Sequence, residues 1–297
     1  MSLAQPLTTT SPVEASRPAA RRLRRARGDG SLLATVLAFV VAAAFAFPYL
    51  YLIVSSFKTP MDNLALPPKL FFTPTLENYR AIFANVALFR FLGNTVIVAT
   101  LSTLVAMLFA VPAAYGLVRF PLRRRESIAY LFLVIQLIPV IAIVFPYFDI
   151  ARRLDLYDTV WILIVVYTLW NVPWGIWLVR GFIQDVPREL EESSMVDGSS
   201  RLGAMLRVTL PLAAPGLTAA AILLFIGAWN EFTLAFFLTT RNARTYPTSI
   251  GFFLTHSGIQ WGEMFATALI GTLPVVIFAI LVRKTFISSL SFGAVKG

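Results

Sequence analysis

Long apolar stretches alternate with short polar ones along nearly the whole chain. Six of them, approximately 32–55, 91–118, 127–148, 159–182, 217–238 and 264–282, approach the roughly 20 residues that a helix needs to cross a bilayer core. The pattern predicts an all-α integral membrane protein with six transmembrane helices. Nearly every stretch carries an internal proline: Pro48, Pro112, Pro139, Pro146, Pro173 and Pro274. Proline removes a backbone hydrogen bond and kinks a helix, and membrane helices tolerate it where neighbours satisfy the freed carbonyl. Kinked spans suit a bundle that encloses a cavity.

Composition strengthens this picture. The chain is 58% hydrophobic and 13% charged, against about 25% charged residues in a soluble domain. The absence of cysteine excludes disulfides and thiolate chemistry. A single histidine, His256, leaves no His-pair metal site. The net charge of +10 does not point to nucleic acid, because it is concentrated beside apolar segments. Arg17, Arg21, Arg22, Arg24, Arg25 and Arg27 precede the first span, and Arg123-Arg124-Arg125 follow the second. Such asymmetry is the positive-inside pattern. It places both termini in the cytoplasm, with residues 1–30 a disordered basic tail. The apolar run at 32–54 exceeds the roughly 7–15 residues of a signal core, which favours an uncleaved anchor. The six-helix domain is expected over 31–290, followed by a short cytoplasmic tail at 291–297.

The same topology puts residues 187–215 in the cytoplasm, between spans four and five, within a loop at 185–216. Its residues predict two short helices. Asp185 or its neighbour can cap the first, Pro187 suits the first turn, and Glu189, Glu191 and Glu192 sit where a helix start favours negative charge. Gly198 after Asp197 is the expected stop, and Ser199 or Ser200 can cap the second helix. There Leu202, Met205, Leu206, Thr209 and Leu210 recur at helical spacing as an apolar stripe expected to pack towards the spans. Pro211 is expected to end or kink that helix.

The pattern E-x-x-x-x-D-G followed by a striped helix ending in Leu-Pro resembles the EAA loop of ABC-importer permeases. Glu192 matches the motif glutamate, Asp197-Gly198 the turn and Leu210-Pro211 the closing pair. Ser193 and Ser194 stand where the pattern has two alanines, and serine is small enough to keep close packing. Elsewhere Glu77-Asn78-Tyr79, Phe91-Leu92-Gly93-Asn94, Ala113-Ala114-Tyr115-Gly116 and Trp229-Asn230-Glu231-Phe232 are similar to sugar-importer permeases of the maltose-transporter type. So is the terminus Gly293, Ala294, Val295, Lys296, Gly297. The resemblance covers nearly the whole chain and implies an ABC-importer type I permease fold with a cytoplasmic coupling helix. It implies a permease subunit of a bacterial inner-membrane sugar importer. Its partners would be a second permease, two ATPase subunits or domains that hold ATP and Mg²⁺, an extracytoplasmic solute-binding protein, and lipid. Residues 189–197 would meet the ATPase, and the C-terminal tail would reach the ATPase interface. The chain itself would bind no cofactor. No phosphate-binding loop or G-x-S-x-G elbow is present.

Polar residues at membrane depth usually face a cavity or another helix. Asn94, Gln136, Asn171, Asn230 and Glu231 are such residues. Amides and carboxylates that bond hydroxyls in pairs, beside aromatic rings that cover the apolar face of a sugar, would make a substrate pathway. Gln136, Asn171, Trp174, Trp229, Asn230 and Glu231 offer both ingredients, although asparagine and tryptophan also glue helices together. In the maltose-transporter type, the resemblance implies that most sugar contacts come from the partner permease. An ion-coupled secondary transporter using Glu231 is the alternative; no internal repeat of the kind such folds show is evident.

Overall fold

The computed structural model describes residues 19–255 and 258–294, with side chains described over 32–255 and 258–280. His256 and most of the expected terminal tails, residues 1–18 and 295–297, lie outside the described residues. The first helix, α1, runs Ala19–Ser56, so it starts well before residue 32. Short helices α2 (Pro60–Leu64) and α3 (Glu77–Ala84) lie in the loop before α4 (Val86–Arg119). Then follow α5 (Arg125–Gln136), α6 (Val140–Arg153) and α7 (Val160–Gln184). The loop between spans four and five holds α8 (Arg188–Val196) and α9 (Arg201–Ala204), and a π turn (Met205–Thr209) leads into α10 (Leu210–Asn230). After α11 (Thr233–Leu238) come a 3₁₀ turn (Pro247–Phe253), a two-residue antiparallel pair and α12 (Trp261–Ala294).

Five described helices are long and apolar enough to cross a membrane, or six if α5 and α6, bent by 84°, form one span. The chain divides into two compact units, one ending at Val54 and the other starting at Ser55. The second is built on α4 and α7, which pack along their lengths and together receive α10. Val98, Leu163, Val166, Tyr167 and Leu234 lie in one buried cluster, and Ala110, Ala114, Val179, Ile183 and Ala220 in another. The helices approach closely because small residues face each other, as is usual where lipid removes the hydrophobic drive. A Cβ on Gly216 would stand 2.3 Å from the ring of Phe182.

Two expectations are corrected. The fifth span does not run unbroken over 217–238: the helix stops at Asn230, and Glu231 and Phe232 separate it from α11. The third is broken at Pro139, which caps α6 and cannot continue α5. Pro211, expected to end or kink its helix, does not end it but follows a local distortion. The Leu210 N–H reaches back five residues to the Met205 carbonyl, so the turn widens before the proline that would otherwise press on the Arg207 carbonyl.

Candidate functional site

Three regions concentrate the chemistry. The first is the knob built from α8, α9 and the π turn. Proline at 187 starts α8, and the helix ends at Asp197 and Gly198, whose φ of 94° favours a residue without a Cβ. Ser200 caps α9 by accepting from the Gly203 N–H at 3.1 Å. The buried carboxylate that holds this knob is Glu191, not the motif glutamate Glu192. At 4% exposure it accepts from Arg119 Nε at 2.7 Å, the Tyr115 hydroxyl at 3.0 Å and the Thr209 hydroxyl at 2.7 Å. Arg119 spends another nitrogen on the Ile183 and Val186 carbonyls, and Arg188 donates to the Val118 carbonyl at 2.7 Å. One carboxylate thus joins the end of α4, the knob and the start of α10. A carboxylate buried this far is stable only when paired and fully hydrogen-bonded, and Glu191 is.

The motif residues lie outward. Glu189, Glu192, Ser193, Asp197, Gly198 and Pro211 are exposed, while Ser194 and Leu210 are half-buried. Ser193 donates to the Leu190 carbonyl at 3.0 Å, so its hydroxyl is satisfied within its own helix. The expected apolar stripe divides. Met205 and Thr209 are buried, whereas Leu202 and Leu206 are exposed and, with Leu190 and Val196, give the knob its exposed large apolar side chains.

The second region is a cleft of about 340 Å³ between α7 and α10, closed at one side by the end of α5. Gln136, Tyr167, Trp170, Asn171, Trp174 and Glu231 line it, so four of the six expected pathway residues come together. The other two do not line it. Trp229 is buried, donating to the Gly271 carbonyl at 3.0 Å, and so joins α10 to α12. Asn230 returns its amide to the Ile226 carbonyl of its own helix. Gln136 donates to the Trp170 carbonyl at 2.7 Å. The Glu231 carboxylate accepts from the Tyr167 hydroxyl at 2.7 Å and from the N–H groups of Leu234 and Ala235 at 2.8 and 3.2 Å. It therefore starts α11 in the manner of a capping side chain. Asn171 is 7% exposed, and its amide nitrogen has no hydrogen-bond partner.

A third constellation joins the loops at the other end of the bundle. Asp158, at φ 57°, accepts from the N–H groups of Thr240, Arg241, Asn242 and Ala243 at 2.9–3.3 Å. Burial alone would push its carboxyl up, but the donors of Thr240, Asn242, Ala243 and Arg241 outweigh this and hold it below its usual value. Asn94 donates to the Asn242 and Arg244 carbonyls, both at 2.9 Å, and fixes the same segment to α4.

Residues 102–287, covering α5 to α11 and much of α4 and α12, match the model of the binding-protein-dependent transport system inner membrane component family. The chain belongs to this family. It is similar to other permeases of known systems. It is 34% identical over 270 residues to the trehalose/maltose transport system permease protein of Thermococcus litoralis, covering 90% of this chain and 97% of that one. It is also 34% identical over 272 residues to the sulfoquinovosyl glycerol transport system permease protein of Agrobacterium fabrum, covering 91% and 95%. Among solved structures, a chain of a bacterial ABC transporter that imports the acidic polysaccharide alginate superposes with a TM-score of 0.69 at 21% identity, over 92% of this chain and 99% of that one. A chain of the inward-facing MetNI methionine ABC transporter gives 0.56 at 20% identity, over 67% and 96%. The fold is therefore the type I permease fold of ABC importers, as the resemblance implied.

Glu191 was legible only as a first-turn acid, because its partner Arg119 lies 72 residues away and no local pattern links them. Asp158 gave no signal beyond a loop acid.

Proposed function

We propose that this permease forms half of the pathway of an ATP-driven carbohydrate importer in a bacterial inner membrane, with both termini in the cytoplasm. A second permease forms the other half, a solute-binding protein delivers the sugar outside, and two ATPase subunits holding ATP and Mg²⁺ dock on the knob. The observation that carries this reading is the knob itself: outward-facing Glu189, Glu192, Leu190 and Val196 on a helix locked through Glu191 to the ends of α4 and α10. Such a body transmits a rigid movement without chemistry of its own. When the docked ATPases close on ATP, force on α8 passes through Glu191 and Arg119 into α4, and through Thr209 into α10, which bears one wall of the cleft. Carbohydrate is supported as the substrate class by relatives named for trehalose/maltose and sulfoquinovosyl glycerol transport.

Gly293 and Ala294 end α12, and with Val295, Lys296 and Gly297 they would form the tail contact to the ATPase. An ion-coupled mechanism would require Glu231 to load and release a proton, yet its carboxylate is engaged by three donors that build the start of α11. Purification from the native membrane tests the reading. An ATPase and a second permease are expected to accompany the chain, with ATPase activity stimulated by a sugar-loaded binding protein. Recovery of a lone chain whose transport follows an ion gradient and ignores ATP would contradict it.

A further inference from the structure

Two membrane-crossing stretches are interrupted, and both interruptions meet at the α7–α10 cleft. Gln136 ends α5 before the bend, and Glu231 occupies the break after α10. Irregular backbone at membrane depth is tolerated where it lines a cavity, and half-helix ends of this kind hold solutes in transporters. The two helices end here with their carbonyls, which carry partial negative charge, and Glu231 adds a full one. Among the described residues, the lining includes no lysine or arginine. Asn171 supplies a separate observation: it lines the cleft, is more than nine-tenths buried, and has an amide nitrogen without a partner. A buried donor left unmade is costly, so such a group is retained where a ligand satisfies it. Trp174, three residues on and therefore on the same face of α7, is 38% exposed.

We infer that the cleft is a subsite for one ring of an uncharged saccharide, contributed by this chain rather than by its partner permease. The ring's apolar face lies on Trp174, the Asn171 amide donates to a hydroxyl oxygen, and Glu231 accepts from a hydroxyl. A volume of about 340 Å³ is at the lower end of small-molecule sites, enough for a ring or two and not for a long chain. A uronate or sulfonate sugar would bring its charge against Glu231 and two helix C-termini with no cation to receive it, so the subsite selects against such sugars. This inference rests on the carbohydrate reading above.

Its test uses the complete transporter with its binding protein in proteoliposomes. The probes are labelled maltose and trehalose, with alginate oligosaccharide and sulfoquinovosyl glycerol as anionic counterparts. Wild type is expected to take up a neutral probe and neither anionic one. At saturating loaded binding protein, Trp174→Ala and Asn171→Ala are each expected to lower sugar delivered per ATP about 10-fold, the size of one lost sugar contact. The concentration of binding protein for half-maximal uptake should not change. Trp174→Tyr, which keeps a ring, should recover to within about twofold, and Trp161→Ala on the exposed side of α7 should match wild type. Neutral-sugar uptake with unchanged delivery in Trp174→Ala and Asn171→Ala would overturn the subsite while leaving the importer reading intact. Uptake of the anionic probes in preference to the neutral ones would overturn the charge selection. ATP-driven uptake of none of the four, with transport of a non-carbohydrate instead, would overturn the carbohydrate reading itself.

Discussion

At the scale of single residues, the side chains that matter most are polar groups satisfied across long sequence distances. Asn78 donates to the Ser56 and Lys58 carbonyls at 2.7 and 2.9 Å, Asn94 holds the segment after α11, Tyr115 meets Glu191, and Glu231 starts α11. Each sits in a short motif that resembled sugar-importer permeases, so those motifs mark pins between elements. Glu191 shows what such a pin contributes. Removing one partner of a buried ion pair costs about 3–5 kcal/mol, so Glu191→Ala is expected to lower the thermal midpoint of the purified complex sharply. Glu192→Ala, on the exposed face, should leave that midpoint within a degree or two. Equal midpoints in a melting assay would show that Glu191 is not the joint. Asp158 allows a pH statement. Its carboxyl is held below the usual value, so its contribution is fully present above the unfolded-state value and is lost as pH falls through the lower folded one. Exchange protection of the N–H groups of residues 240–243 should therefore be constant from pH 8 to 5 and should fall only under stronger acid. Asp158→Asn should lose it at neutral pH.

At the scale of elements, much was legible and the exceptions share a cause. The ends of the first and second spans and both ends of the fourth followed from runs of apolar residues, and the knob's two helices followed from Gly198 and Ser200. The breaks within spans three and five were marked only by Gln136, Pro139, Asn230 and Glu231 inside otherwise apolar runs, and such residues also occur in unbroken spans; Glu231 bonding to Leu234, Ala235 and Tyr167 begins a new helix. The π turn was equally hidden. Proline predicts a disturbance, but only packing decides whether the helix stops or widens. Likewise the stripe at Leu202, Met205, Leu206, Thr209 and Leu210 read as uniformly buried, yet periodicity cannot reveal that part of it is left exposed. Two substitutions test these elements. Gly198→Ala places a Cβ at positive φ and should cost about 1–2 kcal/mol of complex stability. Gly216→Ala drives a methyl into Phe182 and should cost about 1–3 kcal/mol. Phe182→Ala added to it should return part of that loss if the clash is the cause, and chemical denaturation of the double variant would read this directly.

At the scale of the whole molecule, three carboxylates bind separate segments together at three levels: Glu191 in the knob, Glu231 beside the cleft and Asp158 among the loops at the opposite end. Each links the α4–α7 framework or its loops to the segment comprising α10, α11 and the loop beyond. This arrangement suits the proposed function, in which a displacement passes through the body without unfolding it. The family assignment names the kind of machine, and in the function proposed above the locked knob and the cleft at two helix breaks are the parts through which this chain serves it. Which half of the machine fails when the knob is altered is the decisive question. ATP-driven sugar uptake by the reconstituted complex, compared between wild type, Glu192→Lys and Gly198→Pro, answers it. Both variants are expected to remain in the membrane with the second permease, to lose the ATPase or its stimulation, and to import no sugar above background. Import at the wild-type rate by either variant would contradict coupling through this knob.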